Sequence, residues 1–311
     1  MDFDSESTAF IFPGQGSQFV GMGLELARSF DLARQLFQEA DSILGIPLSR
    51  IMWEGPEVDL NDTVNTQPAL FVHSIAALRV FLERYPSIKP GYVAGHSLGE
   101  LTAITAAGAL SFIDGLRLVH RRGELMKRAG EITQGGMAAI IGLETPELEK
   151  ICAEASTGLD IVQVANDNCP GQVVISGSKH ALERAMDLAK AAGARRTIPL
   201  AVSIAAHSPL MRSVQDDFAF AVNSTPFSMP VKPVISNVTA RPMTTIADLW
   251  TDLRAQLTSR VRWTESVKFM IEKGVDTFIE LGSGSVLTGL INRINNQVTG
   301  ISLGSFSDFN N

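Results

Sequence analysis

The sequence predicts an α/β protein in which a smaller unit is set into a larger one, and three observations carry that prediction. Short glycine-bounded strands alternate with helix-period segments in the first part of the chain. The middle changes to a strand, helix, strand, strand, helix, strand order, after which the first alternation resumes. A chain of 311 residues also exceeds what one core comfortably supports. The expected division is 1–129 with 200–311 for the larger domain and 130–199 for the insertion.

Thr8 to Phe12 reads as a strand running into the glycine turn Pro13-Gly14-Gln15-Gly16-Ser17, where backbone amides can approach a ligand. Asp31 is placed to cap a helix with apolar residues at Leu32, Leu36, Phe37, Ala40 and Leu44. Gln67 to Tyr85 is helical and apolar on most faces, so it should be packed on several sides. Gly91 to Gly95 is a strand, His96 and Ser97 form a turn, and Leu98 to Ala109 follows as a helix. Ser111 and Asp114 make a capping-box pattern for the next helix, which Gly130, Gly135 and Gly136 should end.

The inserted unit is expected to have strands at Met137–Leu143, Ile161–Ala165, Gln172–Ser176 and Arg195–Leu200. A turn at residues 167–171 joins the middle pair, Thr145-Pro146 opens the first helix, and Gly193 stops the second. That order is the ferredoxin-like arrangement. Beyond it come a strand-like run from Ala201 to Ile204, a helix from about Pro209 and a strand at Pro233–Ser236. Helices at Ile246–Leu257 and from Trp263 precede a strand at Thr277–Leu281.

A formal charge of −7 and 45% hydrophobic residues suit an ordinary soluble, cytoplasmic protein and argue against a nucleic-acid binder. The acidic N-terminus lacks a leader pattern, and no apolar run is long enough to cross a bilayer. Cys152 and Cys169 have no metal-ligand spacing, so neither zinc nor a disulfide framework is expected. One basic run stands out: between Arg117 and Arg128, five basic residues face one acid, Glu124.

Gly95-His96-Ser97-Leu98-Gly99 fits the G-x-S-x-G nucleophile elbow, with a strand before it and a helix after it as that geometry requires. The larger domain therefore reads as α/β-hydrolase-like. By the elbow rule, the amide of Leu98 is one donor to an oxyanion. A serine needs a base, and of five histidines His207 stands apart, in a loop just before a helix. Spacing alone leaves open whether His207 is that base or a structural histidine.

Six ordered segments carry a family resemblance: Phe12–Gln18 (FPGQGSQ), Gly95–Glu100 (GHSLGE), Arg121–Met126 (RRGELM), Asn166–Gly177 (NDNCPGQVVISG), Ala205–Met211 (AAHSPLM) and Arg260–Trp263 (RVRW) with Gln256 upstream. Along nearly its whole length the chain resembles the malonyl-CoA:acyl-carrier-protein transacylases and the acyltransferase domains of polyketide synthases. The resemblance implies Ser97 as nucleophile, His207 as its base, and a backbone carbonyl near Gln256 orienting the imidazole. Asp216 or Asp276 would be needed for a three-side-chain triad. It further implies the Gln15 amide as second oxyanion donor, Arg122 as the grip on a substrate carboxylate, and Asn166 and His96 as supporting residues.

Malonyl-CoA and an acyl-carrier protein are the implied partners, with the coenzyme A thioester a substrate and no permanent cofactor. Ile204-Ala205-Ala206 before His207 departs from both HAFH and YASH, the patterns of malonyl- and methylmalonyl-selective domains, so methylmalonyl or relaxed selectivity stays open. Carrier proteins of this kind are acidic, which makes Arg117, Arg121, Lys127, Arg128, Arg195 and Arg196 the candidate dock. An acyl hydrolase using the same elbow is the nearest alternative, and a catalytically dead scaffold is the other. The termini favour a free-standing enzyme, and the absence of a heptad seam favours a monomer.

Overall fold

A computed structural model describes residues 6–158 and 160–310. The acidic start of the chain, 1–5, lies outside them. The strands are β1 (Thr8–Phe12), β2 (Tyr92–Gly95), β3 (Gly135–Ile141), β4 (Val162–Cys169), β5 (Gln172–Ser178), β6 (Arg196–Pro199), β7 (Val234–Ile235), β8 (Pro242–Met243), β9 (Thr277–Leu281) and β10 (Thr299–Leu303).

One sheet has the order β10-β9-β1-β2-β7-β8, parallel except for the last pair. All five residues of β1 are buried, as expected for a parallel strand with helices on both faces. The helix Thr63–Arg84 packs in the same core, with Leu70, Phe71, Ala77 and Phe81 fully buried, and Phe10 meets Phe81 edge-to-face at 5.3 Å. β1 and β2 lie side by side with Phe12 opposite Gly95. The glycine turn and the elbow thus leave the same edge of the sheet together.

The second sheet is antiparallel, in the order β4-β5-β3-β6. The helices Thr145–Ala155 and Lys179–Ala191 bury Leu148, Ile151, Leu182 and Ala185 against Ile140, Val164 and Ile175 in a core separate from the larger one. This is the ferredoxin-like order. Asp167 N–H donates to Val261 O at 2.9 Å and Val261 N–H to Ala165 O at 2.8 Å, which ties β4 to the larger part.

Several local expectations are corrected. The helix opened by Ser111, whose hydroxyl accepts the Asp114 N–H, runs Phe112–Ile132, so Gly130 lies inside it and Gly135 and Gly136 lie in β3. Gly130 packs closely under the returning chain: a Cβ there would sit 3.0 Å from Ile204 Cγ1, so the isoleucine side chain would have to shift. β4 extends to Cys169, which leaves Pro170 and Gly171 as the turn, with Gly171 at φ 71°. Asp31 is the first residue of its helix and makes no cap, and Thr145 is likewise inside its helix. Residues 201–204 form no strand; they are a strap returning from β6 along the Phe112–Ile132 helix.

Candidate active site

The elbow is a steric necessity. A Cβ on Gly95 would lie 1.9 Å from the carbonyl of Gly99, and one on Gly99 would lie 2.1 Å from Phe12 O. Between them Ser97 adopts φ 53° and ψ −108°, a conformation that costs a side-chain-bearing residue about 1–3 kcal/mol. Side chains from elsewhere hold it there. Asn237 Oδ1 accepts the Ser97 N–H at 2.7 Å while Asn237 Nδ2 donates to Gly95 O at 2.7 Å. Gln256 Nε2 donates to Ser97 O at 3.1 Å. The Pro13–Ser17 turn packs tightly on the elbow, since a Cβ on Gly14 would be 2.4 Å from His96 O.

Ser97 Oγ and His207 Nε2 are 2.7 Å apart. The other ring nitrogen decides the tautomer. His207 Nδ1 is 3.0 Å from both Gln256 O and Ser259 O, and carbonyls only accept, so Nδ1 carries the proton and Nε2 accepts from the Ser97 hydroxyl. Neither Asp216 nor Asp276 takes part, and Asp276 lies before β9 at the opposite end of that strand. His207 itself sits at φ 57°, fixed by Gln163 Nε2 donating to its carbonyl at 2.7 Å. Burial, then the charge of Arg122, depress its pKa to about 3.

Arg122 is 1% exposed. Its Nη2 donates to Ser97 Oγ at 3.1 Å, its Nη1 to Gln67 Oε1 at 2.8 Å and its Nε to Gln256 Oε1 at 3.0 Å. All three contacts are neutral groups. Burial lowers its pKa to about 10, with Glu100 pulling the other way, so it stays charged at neutral pH. Gln67 Nε2 reaches Thr63 Oγ1 at 3.0 Å, and Thr63 Oγ1 donates to Gln15 Oε1 at 3.1 Å, which links the arginine to the glycine turn. Leu98 opens its helix, so its N–H is among the unsatisfied N-terminal donors. A cavity of about 340 Å³ lined by Gln15, Asn61, Thr63, Lys127 and residues 201–204 adjoins the turn.

The supporting residues divide. His96 Nε2 bonds Asn168 Oδ1 at 2.8 Å and its ring meets Trp263 edge-on at 5.8 Å, with burial lowering its pKa. Asn166 Oδ1 is buried without a hydrogen-bond partner among the described residues. The six basic residues do not form one patch. Arg121 pairs with Glu124, Lys127 with Asp62 and Arg128 with Asp217. Arg196 pairs with Ile141, at the far end of β3 from the Phe112–Ile132 helix, and Arg195 precedes it there. Asn237, Gln67, Glu100, Gln163 and Asn168 were not singled out from the sequence. Glu100 and Asn168 lie within two of the quoted segments; Asn237 sits in no local pattern.

Both thiols are buried, and burial pushes Cys152 up to about 12. Among the described residues no group of three His, Cys, Asp or Glu could hold a metal ion, and no helix is long and apolar enough to cross a membrane.

The acyl transferase domain family matches residues 9–303. The chain is 45% identical to the malonyl CoA-acyl carrier protein transacylase of Bacillus subtilis, over 95% of this chain and 92% of that protein. It is 43% identical to the one from Escherichia coli K12, over 95% of both. Among solved structures, an acyl carrier protein S-malonyltransferase from Vibrio cholerae superposes with a TM-score of 0.93 at 43% identity, covering 97% of this chain and 98% of that one. A malonyl-transacylase in complex with its type II polyketide acyl-carrier protein gives 0.93 at 42%, covering 97% of both. With a serine–histidine pair and a buried arginine held at one sheet edge, and with likeness along nearly the full length, the chain belongs to the acyl transferase family, among the malonyl CoA-acyl carrier protein transacylases.

Proposed function

We propose that this protein transfers a malonyl group from malonyl-CoA to the phosphopantetheine thiol of an acyl-carrier protein, through an ester on Ser97. The observation that carries this reading is the buried Arg122, whose Nη2 lies 3.1 Å from a serine hydroxyl that is itself 2.7 Å from His207 Nε2. An esterase needs no buried cation beside its nucleophile. A malonyl thioester brings a free carboxylate there, and a guanidinium can hold it with two parallel hydrogen bonds.

In the first half-reaction Ser97 Oγ attacks the thioester carbonyl while His207 Nε2 takes the hydroxyl proton. The negative oxygen of the tetrahedral intermediate is received by the N–H groups of Leu98 and Gln15, worth about 3 kcal/mol each. The C–S bond then breaks, and the proton on His207 leaves with the coenzyme A thiol. In the second half-reaction the carrier thiol gives its proton to His207, attacks the ester, and the proton returns to Ser97. Every proton is carried by His207, so the cycle requires no resident metal or redox cofactor. The residues before the base, Ala205 and Ala206, are small and buried, which leaves room for an α-methyl group and favours tolerance of methylmalonyl. We place the reaction in the cytoplasm, serving fatty-acid or polyketide synthesis, with the 130–199 unit flanking the cleft.

Intact-protein mass spectrometry after brief incubation with malonyl-, methylmalonyl- and acetyl-CoA tests the reading. Wild type should gain a malonyl adduct, Ser97→Ala none, and Arg122→Ala should lose malonyl loading while taking acetyl. Absence of any dicarboxylic adduct on wild type, with coenzyme A released into solution, would establish a hydrolase instead.

A further inference from the structure

Gln163 belongs to β4 of the antiparallel sheet, yet its side chain ends in the larger part of the molecule. Its neighbours Val162 and Val164 pack with Leu148, Ile151 and Leu182 in the separate core, and alternation along a strand turns Gln163 to the opposite face. From there Nε2 donates to His207 O at 2.7 Å and to Thr258 O at 3.2 Å. Carbonyls only accept, so the NH2 end of the amide must face them, and its two hydrogens match the two acceptors.

Both acceptors bear on the base. His207 carries a side chain at φ 57°, a left-handed conformation that persists only where the surroundings hold it. Thr258 precedes Ser259, whose carbonyl, with that of Gln256, fixes the hydrogen on His207 Nδ1. The segment after Ser259 is tied to β4 as a short extra strand, with Val261 opposite Asn166 in parallel register. One amide thus holds the main chain that bears the imidazole and the main chain that orients it. Close packing is not what sets this contact, since a cavity of about 430 Å³ lined by Glu149, Gln163, Thr258, Ser259 and Arg260 adjoins it.

We propose that Gln163 is a positioning residue for His207, and that through this contact the 130–199 unit sets the geometry of the base as well as flanking the cleft. Without the two donated hydrogens the His207 main chain can relax from φ 57° and the Thr258–Ser259 segment can draw away. The imidazole then loses its aim at Ser97 Oγ and a partner of its Nδ1–H. A misplacement of about 1 Å between reacting groups can slow a reaction about a hundredfold. Arg122, the grip on the substrate carboxylate, bonds neither Gln163 nor Thr258, so the loss should fall on the rate and not on substrate binding. The inference rests on the reading of Ser97 and His207 above.

Gln163→Leu nearly keeps the volume and removes both donors. Its kcat for malonyl loading should fall about tenfold or more while the KM for malonyl-CoA stays within about twofold of wild type. Glu149→Gln is the control: it breaks the 2.6 Å ion pair with Arg260, which joins the same two parts without touching His207, and should leave kcat within about twofold. The 15N resonance of His207 Nε2 reports whether the ring still accepts the Ser97 hydroxyl, and it needs no turnover. It should move in Gln163→Leu toward that of an imidazole nitrogen without a donor and stay in place in Glu149→Gln. Should Gln163→Leu fail to fold, Gln163→Ala opens onto the adjoining cavity, overpacks nothing and carries the same expectations. An unchanged kcat or an unchanged Nε2 resonance in a folded Gln163 variant, a loss borne by KM, or an equal loss in Glu149→Gln would each overturn the proposal. Absence of a malonyl ester on wild type would instead overturn the parent reading, and the resonance would still decide whether Gln163 positions the ring.

Discussion

His207 is held neutral, with its pKa far below the ordinary histidine range. Burial and the neighbouring Arg122 depress its pKa to about 3. In the proposed reaction, kcat/KM for malonyl loading should stay flat as pH falls through about 6.5, where an ordinary histidine would protonate. Stopped-flow release of coenzyme A between pH 5 and 8 would measure this, and a limb near 6.5 would contradict it. A bound malonyl carboxylate offsets the Arg122 charge that helps depress His207. The acid limb of kcat should consequently lie at higher pH than that of kcat/KM. The thiols behave as packing groups: with burial raising both pKa values, neither Cys152 nor Cys169 should react with iodoacetamide in the native protein at pH 8.

At the scale of elements, the elbow depends on contacts that no side chain can share. Gly99→Ala drives a Cβ into Phe12 O, backbone against backbone, so neither partner can yield by changing rotamer. The variant should lose about 3 kcal/mol or more in urea unfolding, or fail to fold. Thr245 and Asp248 form a capping box at the start of the Ile246–Gln256 helix, whose other end presents the Gln256 carbonyl to His207. Thr245→Ala should cost about 1 kcal/mol by thermal denaturation and leave the loading rate nearly unchanged. The rest of that helix, including Asp252, remains bonded to the sheet edge.

Across the whole molecule, three buried histidines link stability to pH. His73, His96 and His207 all have lowered pKa values, so below about 6.5 the unfolded chain binds protons that the folded one refuses. Their contribution is present above 6.5 and is lost as pH falls toward the folded value. Glu100, Asp252 and Glu280, with raised values, act oppositely: their contribution is present in acid and lost as pH rises through their folded values. His207→Gln removes one refused proton. The slope of unfolding free energy against pH below 6.5 should fall by about 1.4 kcal/mol per pH unit relative to wild type. For the carrier, Arg117 is exposed and shares the face of its helix with Arg121 and Arg128. Arg117→Glu should raise the KM for the carrier severalfold and leave malonyl-CoA loading unchanged; equal loss in both half-reactions would refute this dock.

By itself the sequence determined the alternation of strands and helices, the inserted unit with its strand order, and the elbow. These rest on periodicity and on glycines with local steric reasons, which a linear reading can see. It also singled out Ser97, His207 and Arg122, the last two through family likeness because spacing left their partners open. Only the tertiary structure decided what surrounds them. Asn237 clamps the elbow from 140 residues away, Gln256 offers its carbonyl to His207 and its amide to Arg122, and Asp252 accepts the hydroxyl of Ser236, the residue before that clamp. Two of the basic residues in that run, Lys127 and Arg128, are paired with carboxylates that arrive from other elements, Asp62 and Asp217, which no reading along the chain shows. Hydrogen bonds and charges act through space over a few ångströms, and which groups come that close is set by packing rather than by spacing along the chain.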